Sequence, residues 1–275
     1  MILTKERRDL KMGKKILKFS LDIIIIACLV AAGYFGLKIF ERFQEDQQLN
    51  SSYESIRKDT KTGKHINWNK LKKINSDIVA WIYVKGTNID YPVVQGKTNQ
   101  SYLHTNFKKQ YTYGGCIFLD SKDNKQFALN DNNVFYGHHM RNGSMFADLV
   151  KFREEKFARK HTIELYTPDK TYHLKAFSAY AKTADTSIPI TFKNQEEKNA
   201  YITKLKNRNG VSSIIKNIPK KDEPIYTFAT CSYEGHDYRT YVHAVENKLF
   251  CMLADIRNLC YYYIVFLLDS SSLTG

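Results

Sequence analysis

A mostly β domain behind one apolar helix is what this sequence predicts, and three observations predict it. The chain carries 19 Tyr and 16 Phe, an aromatic load that suits a strand-rich core. Short β-prone segments divided by turn residues recur through its middle and end, and seven or eight such strands with few helices point to a β-barrel or sandwich. Near the N-terminus, a basic cluster precedes one long apolar run.

The first eighteen residues hold Lys5, Arg7, Arg8, Lys11, Lys14, Lys15 and Lys18 against only Glu6 and Asp9. Ile23 to Leu37 is uninterrupted by charge, and the run extends over 19–40 if Asp22 and Lys38 lie near the two interfaces. At 1.5 Å per residue those 22 residues span about 33 Å, enough to cross a bilayer. The basic residues before it predict a cytoplasmic N-terminus, a single pass, and an extracellular remainder. A cleaved signal peptide is the rival reading, but no small-x-small site ends the run. A lipoprotein box at Cys28 is another; Asp22 leaves only four isoleucines in the apolar stretch upstream of Ala27-Cys28, and the run continues past it.

Residues 41–65 are polar and helix-permissive, a stalk or a packed helix. Trp68, Leu71 and Ile74 then fall on one face of a short amphipathic helix that runs into a strand. Further strands are expected at Trp81–Val84, Tyr91–Gln95, Cys116–Leu119 and Asn133–Tyr136. The stretch "TIELYTPDKTYHLKAFSAYAK" is a hairpin turning at Pro168-Asp169-Lys170. Asn194 with Glu197 opens a helix by a capping-box variant, and Gly210 closes it. Two last strands, Ile225–Thr230 and Tyr238–Val245, flank a polar loop, and an apolar tail too short to span a membrane follows from Asn247.

Charge separates few functions here. Without residues 1–40 the chain keeps 34 basic and 25 acidic residues, a surplus of nine that fits anionic lipid, wall polymers or an ordinary lysine-rich surface. Cysteine usage is more informative. Five cysteines in 275 residues are too sparse for a disulfide scaffold, and no HExxH, CxxC or carboxylate cluster appears, so neither metal nor cofactor is expected.

Chemistry concentrates in two stretches. In "NNVFYGHHMRNGSMF" a strand ends, Gly137 permits a tight exit, and His138 projects where a rigid scaffold meets its loops; His139 points the other way if the strand geometry persists. In "TFATCSYEGHDYR" Cys231 ends an apolar strand and Arg239 follows eight residues later, across a loop. A thiol must ionise to attack, and a neighbouring imidazolium or guanidinium favours the thiolate. An attack on an amide also needs a donor for the tetrahedral oxyanion. His138, Cys231 and Arg239 on neighbouring strand ends would supply all three.

At these residues the chain resembles the sortase family, and within it the class B enzymes. "TFATC" is similar to the family's TLxTC motif with Phe228 in place of Leu, "YGHHMRNGSMF" to its histidine segment, and Arg239 to its arginine. "INSDIVAWIYVKGTNIDYPVVQ", "GGCIFLD" and the helix from Asn194 resemble class B segments, and the match runs over 66–246. With the charge and hydropathy pattern, the chain divides into a cytoplasmic segment 1–18, an anchor 19–40, a stalk or helix 41–65, the catalytic domain 66–246 that the resemblance covers, and an extension 247–275 without a family counterpart.

The resemblance implies a closed sortase-type β-barrel of about eight strands with N-terminal helices and a helix between late strands. It also implies a membrane-anchored cysteine transpeptidase of a Gram-positive surface, which cleaves an NPQTN-like or LPxTG-like sorting signal after Thr through a thioacyl intermediate. The partners would be secreted proteins bearing that signal and a peptidoglycan or pilin amine, with no nucleic acid. By the motif match Cys231 is the nucleophile, His138 the general acid/base and Arg239 the oxyanion or substrate clamp. Tyr136, Thr230, Asn99 and Leu103 are expected to line the groove, and Ala229 stands where some members carry a hydroxyl. His236 is left as loop surface, and a thiolate–imidazolium pair is expected to be the minority form, no acid lying near His138 in sequence. Two alternatives are a surface-anchored β-barrel that only binds and a cysteine peptidase that only hydrolyses. Papain-type and NlpC/P60-type peptidases run Cys before His, and L,D-transpeptidases keep their arginine close to the cysteine, unlike this chain.

Overall fold

The computed structural model describes residues 2–127, 131–184, 188–206, 219, 223–233 and 237–247, with side chains from 17 onward. Gly210, His236, Cys251, Cys260 and the tail beyond Asn247 lie outside the described residues. The chain divides into two compact units, 1–48 and 49–275.

The first unit belongs to helix α1 (Ile2–Thr60). Its apolar side chains from Leu17 through Phe43, Ile23 to Ile26 among them, are exposed, and the helix is long and apolar enough to cross a membrane by length and composition. In the second unit the last turns of α1, from Leu49 on, are packed. Leu49, Tyr53, Ile56 and Thr60 recur at helical spacing and are all buried, one stripe of an otherwise polar sequence. The Tyr53 hydroxyl donates to the Gly115 carbonyl at 3.0 Å and lies 3.3 Å from Cys116 Sγ.

After α1 come a two-residue ribbon, β1 (Lys61–Thr62) with β2 (His65–Ile66), and helix α2 (Trp68–Ile74). The Asn67 side chain caps α2, accepting from the Lys70 N–H at 3.0 Å. Leu71 is fully buried, but Ile74 is 38 % exposed, so the expected three-residue apolar face is narrower. One turn of contact suffices for α2 because the chain leaves it directly into the barrel.

The barrel strands are β3 (Ile78–Val84), β4 (Asp90–Val94), β5 (Ile117–Leu119), β6 (Asn132–Tyr136), β7 (Ile163–Tyr166), β8 (Thr171–Thr183), β9 (Ile225–Cys231) and β10 (Tyr238–Glu246). They close in the order β10-β8-β7-β3-β4-β5-β6-β9, with β9 paired back to β10. Two pairs are parallel, β4 with β5 and β6 with β9; the others are antiparallel. Ile82, Phe135, Tyr226, Phe228 and Val242 fill the interior. Outside it, helix α4 (Gln195–Lys206), which falls between β8 and β9 as expected, packs Ile202 and Leu205 with Phe177, Ile225 and Val245. The β9 strand is therefore covered on both faces, which explains its near-continuous apolar run.

Asn194 caps α4 by accepting from the Glu197 N–H at 2.9 Å, and Glu197 reaches back to the Lys193 N–H at 2.8 Å. A 3-10 helix (Ala147–Arg153) and helix α3 (Glu155–Lys160) join β6 to β7. Neither is long enough to show an amphipathic period in the sequence.

Candidate active site

The site follows from register. Strands β6 and β9 run parallel, with Tyr136 opposite Ala229, so Gly137-His138 leaves the sheet beside Thr230-Cys231. The Gly137 N–H donates to the Ala229 carbonyl at 3.2 Å, and the Thr230 hydroxyl donates to the Gly137 carbonyl at 2.8 Å. A Cβ on Gly137 would come within 2.7 Å of the Phe146 ring, so this tight exit needs glycine. On the other side of β9, Arg239 of β10 is the direct antiparallel partner of Cys231. Directly opposed residues present their side chains to the same face, about 5 Å apart at Cβ. The eight-residue separation is thus a hairpin that returns the guanidinium to the thiol.

His138, Cys231 and Arg239 line one open cleft of about 240 Å³. The four expected groove residues, Tyr136, Thr230, Asn99 and Leu103, line the same cleft, together with Ala229. Cys231 and Arg239 are exposed there, whereas the rest of β9 is buried. Cys116, the other described thiol of the barrel unit, is buried beside Tyr53, and burial pushes it up to about 12. A thiol held neutral in that way is a poor nucleophile.

His138 is pinned by the backbone. Its Nε2 lies 2.8 Å from the Leu103 carbonyl. A carbonyl can only accept, so Nε2 carries the hydrogen and Nδ1 is left as the nitrogen that gains and loses a proton. Burial holds the imidazole below its ordinary range; the Leu103 carbonyl works against that shift and the nearby His104 adds to it. Rings stack on it, His104 at 5.4 Å and 26° and Tyr113 at 6.3 Å and 18°. His139 turns away from His138, as its position one residue further along the chain suggests. Its Nδ1 donates to the Cys231 carbonyl at 3.0 Å, while the Tyr233 hydroxyl donates to the His139 carbonyl at 2.8 Å.

Asp120 organises the far wall. Its Oδ2 accepts from Asn99 Nδ2 at 2.8 Å and from the Tyr136 hydroxyl at 3.2 Å, and Asn99 in turn accepts from the Ser121 N–H at 2.8 Å. Burial, then the Asp120 charge, raises the Tyr136 phenol far above its ordinary range, with Arg239 opposing. Sequence reasoning missed Asp120, His104, Tyr113 and the Leu103 carbonyl. Asp120 lay within a quoted motif, "GGCIFLD", but a backbone acceptor leaves no trace in residue identity.

A closed barrel with a thiol, an imidazole and a guanidinium in one cleft suits a cysteine enzyme acting on an acyl group, and comparison with known proteins makes it a cysteine transpeptidase. Residues 82–247 match the family model described as the Sortase domain. Sortase B of Staphylococcus aureus is 35% identical over 224 residues, covering 78% of this chain and 91% of that protein. Sortase B of Listeria monocytogenes is 31% identical over 245 residues, covering 86% and 98%. Among solved structures, a Staphylococcus aureus sortase B-substrate complex superposes with a TM-score of 0.64 at 31% identity, covering 74% of this chain and 97% of that one. The chain belongs to the sortase family, in its class B.

Proposed function

We propose that this transpeptidase is anchored in the membrane through 19–40, with 1–18 cytoplasmic and the catalytic domain, 66–246, extracellular. There it joins secreted proteins bearing a C-terminal sorting signal to a cell-wall or pilin amine. The observation that carries the chemistry is that Cys231, His138 and Arg239 share the wall of one cleft. The long exposed apolar helix supports the anchor, and the basic residues before it support the orientation.

In this scheme the Cys231 thiolate adds to the carbonyl carbon of the Thr residue in an NPQTN-like or LPxTG-like signal. Arg239 holds the oxyanion or the substrate carbonyls, its charge sitting across the β9–β10 pair from the sulfur. As the tetrahedral adduct collapses, the C–N bond breaks and His138 gives its Nδ1 proton to the departing amine. That leaves a thioester on Cys231 and a neutral imidazole. The acceptor amine then loses a proton to Nδ1, adds to the thioester and expels the thiolate, forming the new amide and restoring both catalytic groups. Burial of His138 makes its protonated form scarce near neutral pH, so the thiolate–imidazolium pair is a minority. Tyr136, Thr230, Asn99 and Leu103 form the groove in which the signal lies. Asp120 orients two of them.

The test uses the full-length protein in detergent with a quenched fluorescent sorting-signal peptide, with and without a free amine. Cleavage accelerated by the amine, with an amide product, is expected for the wild type and absent in a folded Cys231→Ala variant. Cleavage persisting in that variant would contradict the assignment.

A further inference from the structure

The sequence around His104 carries no catalytic motif, yet the fold brings this residue against the catalytic histidine. Between β4 and β5 the chain loops over the cleft and is tied down at several points. The Cys116 N–H donates to the Tyr102 carbonyl at 3.1 Å, the Thr112 N–H donates to the His104 carbonyl at 3.0 Å, and Thr105 bridges to Tyr111. The same loop supplies the Leu103 carbonyl that holds His138 Nε2. One residue further on, the His104 ring stacks on the His138 ring at 5.4 Å, and it also lies 6.2 Å from Tyr113, which stacks on His138 in turn. One short segment therefore grips the imidazole both at its edge and across its face.

We propose that His104 is a positioning residue of the transpeptidation reaction: its ring walls the His138 imidazole in place, and its charge governs how readily His138 takes up the proton it must deliver. The proposal rests on the assignment of His138 as the acid and base. His104 is exposed while His138 is partly buried, so the stacked pair puts a solvent-facing ring against the inner one. Among the described residues, the titratable and charged groups around His138 are His104 and Tyr113 from the loop, Tyr136 from its own strand, His139 next in sequence on the Cys231 carbonyl, Cys231 from β9 and Arg239 from β10. The direction follows from like charges: a protonated His104 discourages a second proton on His138, consistent with the lowering that His104 contributes. Two unit charges separated by 5.4 Å in a water-like medium shift a titration by about half a pH unit.

Two substitutions in the full-length protein separate the ring from its charge. His104→Phe keeps an aromatic face on His138 but cannot ionise. Its kcat/KM profile, normalised to its own plateau, should have an acid limb displaced by about half a unit toward higher pH. A titration of the His138 ring by nuclear magnetic resonance should move the same way. His104→Ala removes the wall, and kcat should fall several-fold with KM little changed, because the substrate groove is intact. Thermal melting identifies an alanine variant that has lost its fold, in which case the phenylalanine variant carries the test. Superimposable limbs and titrations for wild type and His104→Phe would overturn the proposal, as would a loss confined to KM. The resonance titration needs no sorting-signal peptide, so failure of the proposed substrate assignment and failure of the His104 role give different results.

Discussion

Gly115 lies outside the catalytic motifs, yet changing it to alanine should disable His138. Its φ is +55°, a conformation that side chains disfavour, and a Cβ there would sit 2.3 Å from the Leu103 carbonyl oxygen and 2.7 Å from that of Tyr102. Both contacts are with backbone, so one of the two segments must move. The left-handed conformation costs alanine about 1–2 kcal/mol, and relief of the overlap about as much again, so a loss of roughly 2–4 kcal/mol is expected. For a domain of about 200 residues that lowers Tm by on the order of 10 °C. The displaced carbonyl is the acceptor of His138 Nε2. A hydrogen bond from a charged donor contributes about 1.5–3 kcal/mol, so its loss should cut the population of positioned imidazolium roughly 10- to 100-fold. The assays are a thermal melt, peptide cleavage by the full-length protein in detergent, and the nitrogen resonances of His138. A Gly115→Ala variant that melts early yet keeps wild-type kcat/KM and an unchanged Nε2 signal would refute the link between the loop carbonyl and catalysis.

Other outcomes follow from the same packing and charges. Phe228 is fully buried, stacked on Phe135 at 5.0 Å and edge-on to Phe146 at 6.2 Å; Phe228→Ala should cost about 3–5 kcal/mol by denaturant melt, and Phe228→Leu much less. Asp120→Ala removes the acceptor shared by Asn99 and Tyr136 and should raise KM for the peptide, with a strongly non-additive Asn99→Ala/Asp120→Ala cycle; additive losses would show that the two act separately. Asp123 is buried, its Oδ1 has no hydrogen-bonding partner among the described residues, and burial pushes its carboxyl up to about 7. A raised carboxyl favours the protonated native state, so stability should decline by a few kcal/mol as pH rises from about 4 to 7, and Asp123→Asn should flatten that decline in melts across pH.

Much of this architecture was legible because it rests on side-chain pattern. The alternation in "TIELYTPDKTYHLKAFSAYAK" gave the β7–β8 hairpin to within a residue or two, with its turn at Pro168 to Lys170. Cys231, His138 and Arg239 could be brought together because each marks a strand end, and ends of paired strands are neighbours whatever the loop between them. The unexpected features depend on long-range backbone contacts. That Leu103 would offer its carbonyl to His138 depends on where the 102–115 loop crosses the cleft, and on the bare Gly115 beneath it. The stripe of Leu49, Tyr53 and Ile56 is present in the sequence but diluted by Gln, Asn, Ser and Lys, so polarity concealed a helix face that the barrel buries. Ile74 errs the other way: an apolar residue in helical phase with Leu71 faces solvent, because only one turn of α2 meets the core.

The most direct test of the account is the covalent state of the sulfur. The full-length protein, mixed with a sorting-signal peptide and quenched in acid before acceptor is added, is digested and read by mass spectrometry. A thioester joining the peptide's N-terminal portion, ending in Thr, to Cys231, dispersed by addition of an amine and absent in Cys231→Ala, is the predicted result. Peptide cleavage with no adduct on Cys231, or an adduct that persists in Cys231→Ala, would contradict it.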